Sequence, residues 1–421
     1  MLTRDNPLLA ATTGPKFPRF GEFVALIALM MGVTAYSIDN LLPAFDVIRA
    51  DFQIRDPNDL QLLIYGYMIA FALAQLAYGP LADMFGRRPV LLAGLLIFAL
   101  GSALALVAPS FGVLMVARVV QGIGTAAARV LAVTIVRDRF AGREMARVMS
   151  LTMMVFLIVP IVAPAIGAVL VAFGNWHLVF WSMLALAIVL AIWFALRMPE
   201  TLHPEFRLPF SSARIAAAAR LTVTTRVTLG YSTGVGLMMG CMLAYVGSSQ
   251  QILETTVYNL GPAFSFYFAL VAVVMAVASF ANSMLVRRLG MRRLSHTGVC
   301  GFVVTAALQL AAALFYGGAP PLGLFIALVG SNLFLFALTV PNFNAMAMEP
   351  LGSVAGTASS LIGAFTTLIG ALCGLAVGQS FNGTVVPLAA GFLILGGLTF
   401  LIVLWTERGR LFRPATPPSA R

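Results

Sequence analysis

The chain of 421 residues is short of charge. Asp, Glu, Lys and Arg make up only 10% of it, against roughly 25% in an ordinary soluble domain. Cysteine is scarce as well: Cys241, Cys300 and Cys373 all fall in apolar runs. They are too few for a disulfide framework and read as small buried hydrophobes. The three histidines, His177, His203 and His296, lie at the edges of apolar runs or between them, with no H-E-x-x-H spacing. No metal site is expected from such a set. Asp39 and Asp46 share one apolar segment without an aspartyl-protease motif, so an intramembrane enzyme finds no support. The first 19 residues are polar and lead into a run too long for a secretory core, and no cleavable signal is expected.

What the chain does have is length of apolar sequence. It is 60% hydrophobic with a mean hydropathy of +0.97. "VLLAGLLIFALGSALALVA", Val90 to Ala108, carries no charge in 19 residues and covers about 28 Å as a helix, close to the hydrocarbon thickness of a bilayer. Twelve such spans fall at approximately 20–45, 60–82, 90–108, 112–136, 148–172, 178–196, 227–249, 263–286, 294–316, 322–346, 355–379 and 387–406. The fold class is therefore all-α integral membrane. An even count leaves both termini on one side. That side holds 22 of the 26 basic residues, whereas Arg49 and Arg55 alone fall in loops on the other. Positive-inside bias then places both termini in the cytoplasm. The net charge of +11 and pI near 10.3 record this topology and not a nucleic-acid partner.

The longest break, Arg197 to Arg226, has three prolines and divides the spans six and six. It suggests a first bundle over 1–196, a cytoplasmic linker over 197–226 and a second bundle over 227–421. Within the linker, Ala213 to Arg220 suits a short helix at the membrane surface. The halves echo one another: "GPLADMFGRRPVLL" follows the second span and "SMLVRRLGMRRLSH" follows the eighth, which aligns Gly86 with Gly290. Two six-span repeats joined by a linker are the arrangement of alternating-access transporters.

Charge inside the apolar spans is the sharpest signal. Asp39, Arg118 and Arg129 lie well within them, Glu22 and Asp46 lie near the ends of the first, and spans seven to twelve carry no charge. An ionised residue at a helix centre costs about 2.5–3.5 kcal/mol on insertion scales, so each is a functional hypothesis. A scaffold role would give no reason for Asp39. Asp39 lies about six residues before the outer end of its span and Arg118 about six after the outer start of its own. Both are then about 9 Å deep and can meet. Helical spacing puts Arg118, Gln121, Gly122, Thr125 and Arg129 on one face, and Gly32, Tyr36, Asp39 and Pro43 on another. Glu22 is about 25 Å away and cannot share the site. Two readings fit the pair. One is a carboxyl that exchanges a proton as the protein changes face, burial favouring its neutral form and the arginine its charged form. The other is a static ion pair that fixes packing. Arg129, nearer the cytoplasmic end, suits snorkelling to the surface.

Further motifs frame this pair. In "GPLADMFGRRP", Gly79 allows close helix approach and Gly86 a tight turn, while Asp83 sits within reach of the basic loop. Such a contact can latch the cytoplasmic side, or be no more than a charged turn. In the fifth span Pro160 and Pro164 each remove a backbone donor and bend the helix, and Gly167 makes room for another backbone. Tyr36, Asn40, Tyr67, Gln75 and Gln121 can offer hydrogen bonds to a cargo, or mediate helix packing.

Together these residues resemble a known family. "GPLADMFGRRPVLL" is similar to the loop signature of the major facilitator superfamily, G-x-L-a-D-x-x-G-R-[RK], with Met84 where a basic residue is common. "RVVQGIGTAA" from Arg118 resembles the fourth-span R-x-x-Q-G-x-G motif of its proton-coupled drug exporters. Arg147 to Trp181 is similar to their fifth-span antiporter region, particularly in the bicyclomycin-resistance (Bcr/CflA) subfamily, although Ala163 and Ala168 replace glycines frequent there. "SIDNLLPAF" and "VAGTASSLIGA" resemble that subfamily too. The resemblance implies two six-helix bundles around a central cavity, in a bacterial cytoplasmic membrane. It implies Asp39 and Arg118 as proton-coupling residues, and Gly79, Asp83, Gly86, Arg87 and Arg88 as a cytoplasmic gate. Pro160, Pro164 and Gly167 become the antiporter helix. The implied activity is proton-coupled export of small amphipathic drugs or metabolites by a monomer. No cofactor is needed beyond the proton gradient. Met31 stands where some relatives carry a second acidic residue, which argues against divalent cations. Proton symport of a nutrient is the alternative, separated by the direction of flux.

Overall fold

The computed structural model describes residues 17–140, 142–207 and 212–412. Among them the regular structure is entirely helical. The chain forms α1 (Phe20–Asp39), a 3-10 turn at Leu42–Ala44, α2 (Phe45–Asp51), α3 (Leu62–Phe85), α4 (Arg87–Leu106), α5 (Phe111–Arg139), α6 (Gly142–Ala172) and α7 (His177–Arg197). After α8 (Ser212–Thr224) come α9 (Arg226–Ser249), α10 (Phe264–Leu289), α11 (Met291–Phe315), α12 (Leu322–Met348), α13 (Ala355–Gln379) and α14 (Val386–Thr406). Twelve helical segments among the described residues are long and apolar enough to cross a membrane. A backbone that leaves no polar group unpaired in lipid is the reason for helices throughout.

The spans match the hydropathy reading, with two differences at their ends. The first regular helix stops at Asp39, because Pro43 enters a 3-10 turn that lacks its backbone donor. Asp39 is thus the last residue of α1 and not a mid-helix residue. The seventh span runs past Ser249 through a π-helical turn, Gln250–Thr255. Glu254 therefore lies in a spanning segment of the second half, which hydropathy alone had left free of charge. Helices also extend beyond the apolar windows at the arginine-rich face, bringing Arg287 and Arg288 into α10 and Arg292 and Arg293 into α11.

α5 packs on α1, α3 and α4, with α7 against α4 and α6 against α1; α9 packs on α12, α13 and α14, and α11 joins α12 to α14. These are two six-helix bundles, and they meet along α3 with α13 and α6 with α10. The internal repeat is visible in the backbone. Gly86 (φ +104°) and Gly290 (φ +78°) each make the turn between two spans in the left-handed region that favours glycine. Glu200, after the sixth span, accepts hydrogen bonds from the Arg87 and Arg88 amides, at 2.9 and 3.0 Å. Glu407, after the twelfth, pairs with Arg292 at 3.1 Å. A carboxylate thus meets the start of the third span in both halves, where the helix N-terminus welcomes an anion. The linker helix exists as expected and packs on α9 and α13.

Glycine sets the closest approaches. A Cβ on Gly122 would strike the Tyr67 carbonyl of α3, and one on Gly124 the Phe98 amide of α4. Gly397 has nothing within 4 Å of its Cβ position. Gly122→Ala should therefore force α3 from α5 and lower stability by about 1–3 kcal/mol, while Gly397→Ala, inside α14 with space to spare, should raise it by up to about 1 kcal/mol. Thermal unfolding of the two purified variants checks the contrast.

Candidate functional site

Arg118 organises the first half. Its side chain is fully buried (0% exposed), and its guanidinium makes three hydrogen bonds. Nε donates to the Leu63 carbonyl at 3.0 Å, Nη2 to the Ser37 carbonyl at 3.1 Å and Nη1 to Gln121 Oε1 at 2.7 Å. The charge also lies over the Tyr67 ring, 4.5 Å from its centroid, a favourable cation–π placement. Gln121 in turn donates to Ser102 Oγ at 2.7 Å, and the Tyr67 hydroxyl bonds Thr125 at 2.7 Å. The polar face read along α5 is real, since Arg118, Gln121, Gly122 and Thr125 are all buried on it.

The expected ion pair does not form in this structure. Ser37 is among the last residues of α1, so its carbonyl belongs to the negative end of that helix and attracts the guanidinium. Asp39 lies two residues on, about 200° around the helix, and turns the other way. It is 5% exposed and lines a cavity of about 170 Å³ with Ile38 and Pro160 of the first half and Met242, Tyr245, Phe268 and Leu333 of the second. No described residue forms a hydrogen bond or ion pair with the Asp39 carboxyl. It is the only ionisable acid or base of ordinary aqueous range among the lining residues. Tyr245 is buried, its hydroxyl has no partner, and its ring stacks on Phe268 at 5.8 Å. The two charges thus flank one helix end. Arg118 grips its backbone from within the bundle, and Asp39 faces the space between the bundles.

The fifth-span residues border the same space. Pro160 lines the cavity, and the Pro164 carbonyl accepts from Ser265 Oγ of α10 at 3.4 Å, a contact between the halves. Gly167 makes room for a backbone, as spacing suggested, but that backbone is Asn40 at the end of α1 and not the opposite bundle. Of the residues expected to offer hydrogen bonds to a cargo, Tyr36 and Asn40 are both engaged with Ser182 of α7, at 2.8 and 3.1 Å. Tyr67 and Gln121 are consumed by the Arg118 network, and Gln75 faces Gly363 of α13 with its amide nitrogen unpartnered. None of the five lines the Asp39 cavity in this structure. The lining residues of the second half were missed because Met, Tyr and Phe in an apolar span carry no distinguishing pattern.

The loop motif forms a cluster inside the first half. Arg87 is buried and bonds Asp83 at 2.7 Å and Asp138 at 2.9 Å, and Arg88 donates to the Ala195 carbonyl at 2.6 Å. A Cβ on Gly86 would meet the Glu200 carboxylate. Gly79 reaches the other half, its Cβ position 3.0 Å from Ser360 Oγ on α13. Asp138 and Glu200 are partners that loop spacing alone could not supply.

Hydrogen bonds between described residues of the two halves all lie toward the face opposite the arginines. Asn58 Nδ2 donates to the Gln379 and Phe381 carbonyls at 3.3 and 3.0 Å. Gln251 donates to Asn58 Oδ1 at 2.8 Å, Gln61 to Gln251 Oε1 at 2.5 Å, and Tyr65 to the Leu243 carbonyl at 3.2 Å. That face is therefore latched by direct hydrogen bonds, whereas toward the arginine-rich face the halves meet through van der Waals packing such as that of Gly79 on Ser360.

Twelve spans in two bundles that share an internal cavity describe a carrier. The chain belongs to the Major Facilitator Superfamily, whose family model matches residues 26–375, and it is a transporter rather than an enzyme. It is similar to the Bicyclomycin resistance protein homolog of Haemophilus influenzae, 29% identical over 368 residues, 87% of this chain and 91% of that one. It is also similar to Multidrug resistance protein D of Escherichia coli, 26% identical over 350 residues, 81% and 84% of the two chains. Among solved structures, the D-xylose-proton symporter aligns with a TM-score of 0.74 at 14% identity, covering 94% and 98%, which speaks to the fold alone.

The three-way grip of Arg118 makes a specific demand on its replacement. Arg118→Lys keeps the charge but cannot serve acceptors on α1, α3 and α5 at once. Loss of one or two charge-assisted bonds should lower stability by about 2–4 kcal/mol and slow transport. Unfolding in detergent and uptake in vesicles, measured on the same preparation, test this.

Proposed function

We propose that this protein exports small amphipathic compounds from the cytoplasm in exchange for protons. The observation that carries the reading is Asp39, a carboxyl without a partner in a mostly apolar cavity walled by both bundles. An ionised carboxylate is costly in such a place, and either a proton or a cationic cargo relieves that cost. Because one group cannot hold both, binding of one displaces the other and couples their opposite movements. Walls contributed by both bundles let a rocking motion present the same acid first to one side of the membrane and then to the other. Arg118, fixed on the α1 carbonyl end, keeps that helix end in place through the cycle and acts as a positioning residue. Similarity to proteins named for bicyclomycin and multidrug resistance supports drug-like cargo.

In this reading the arginine-rich face is cytoplasmic, consistent with positive-inside bias, and the latched face is periplasmic. The cluster of Asp83, Arg87, Arg88, Asp138 and Glu200, with Gly79 at the α3–α13 seam, then borders the cytoplasmic opening and serves as its gate. Cargo would enter from the cytoplasm in the arrangement described here.

The test uses everted membrane vesicles energised to an acidic lumen. Candidate drugs added to wild-type vesicles should release protons from the lumen, and Asp39→Asn vesicles should show at least about tenfold slower drug-dependent release. Release that persists at the wild-type rate in Asp39→Asn would remove Asp39 from coupling. Proton flow in the same direction as the cargo would establish symport and overturn export.

A further inference from the structure

A second cavity, of about 220 Å³, lies where the α3–α13 seam passes under the linker helix. Its walls include Leu73 and Leu76 of α3, Val223 of α8, Leu229 and Ser232 of α9, and Phe365 of α13. It shares no residue with the cavity at Asp39. Leu73, Leu76 and Val223 are exposed, so its mouth opens at the protein surface beside the linker helix.

Ser232 is the unusual member. It is fully buried (0% exposed), yet its hydroxyl has no hydrogen-bond partner. Several other buried serine and threonine hydroxyls fold back on their own helix: Ser37 donates to the Val33 carbonyl at 2.7 Å, Ser102 to Phe98 at 2.9 Å and Thr399 to Leu395 at 2.8 Å. An unpaired hydroxyl in an apolar wall is unfavourable, and a ligand that accepts its hydrogen bond removes that cost. No ionisable side chain lines the cavity, which disfavours a charged occupant. An apolar cavity of about 150 Å³ admits benzene, so this one accommodates a substituted ring.

We propose that this cavity is a second binding site, for a neutral lipophilic molecule with one hydrogen-bond acceptor directed at Ser232. The molecule enters from the lipid phase. Because both bundles and the linker form the walls, its binding holds them in the present arrangement and stabilises that arrangement over others.

Benzophenone is a suitable probe, being neutral and apolar with a single carbonyl acceptor and intrinsic photoreactivity. The full-length protein in lipid nanodiscs is irradiated with increasing benzophenone, and labelled peptides are mapped by mass spectrometry. Labelling near Leu229 and Phe365 should saturate. Ser232→Ala, which changes little volume, should reduce it about three- to tenfold at a fixed subsaturating concentration, the scale of one net hydrogen bond. Ala364→Trp should fill the cavity and abolish it. In the dark, benzophenone should raise the melting temperature of wild type more than that of Ser232→Ala at the same concentration. Labelling that never saturates, or that is unchanged in Ser232→Ala, would reduce the cavity to a place where lipophiles merely partition and would overturn the site. The readout is independent of transport, so failure of the export reading leaves it intact.

Discussion

Everything in the first bundle depends on a guanidinium that must be buried without a carboxylate beside it. Arg118 is made tolerable by two backbone carbonyls, an amide oxygen and an aromatic face. Those groups come from α1, α3 and α5, so satisfying one charge fixes three helices relative to one another. The demand then spreads: Gln121 is held by Ser102 on α4, and Tyr67 by Thr125 on α5. Close packing is the condition for these short bonds, which explains why Gly122 and Gly124 occupy the same helix. The arginine leaves Asp39 unneutralised because it prefers the negative end of α1 to the side chain beyond it.

This arrangement separates two tasks that a simple ion pair would merge. The bundle interior carries a permanent, hydrogen-bonded charge that does not need to change. The space between bundles carries Asp39, an acid with no hydrogen bond or ion pair among the described residues. A group of that kind can respond to whatever enters the cavity, whereas an arginine held by acceptors on three helices cannot. Tyr245, buried and unpartnered across the same cavity, adds a neutral polar group from the opposite bundle.

Much of this was legible in the residues and some was not. Twelve spans, the even topology and the linker helix follow from hydropathy, since lipid leaves the backbone no alternative to helix. The alignment of Gly86 with Gly290 was readable because only glycine takes the turn both positions require. The depth argument correctly brought Arg118 to the level of α1 but could not say which atom it would choose; that depends on where the helix ends, and Pro43 ends it earlier than hydropathy suggests. Tyr36, Asn40, Tyr67 and Gln121 looked like cargo ligands because polarity in an apolar run signals a partner without saying whether the partner is protein. Asp138 and Glu200 lie 51 and 113 residues from Arg87 in the chain, and no local spacing joins them.

The latch at the far face has a consequence of its own. It is built from Asn58, Gln61, Gln251, Gln379 and a tyrosine hydroxyl, bonding one another and backbone carbonyls. Amides neither titrate in the physiological range nor carry net charge. These bonds are therefore blind to acidity, to ionic strength and to the membrane voltage, and breaking them costs the same on an energised membrane as on a resting one. The clasp sets a constant threshold, and any sensitivity to the proton-motive force must be delivered by groups elsewhere in the molecule.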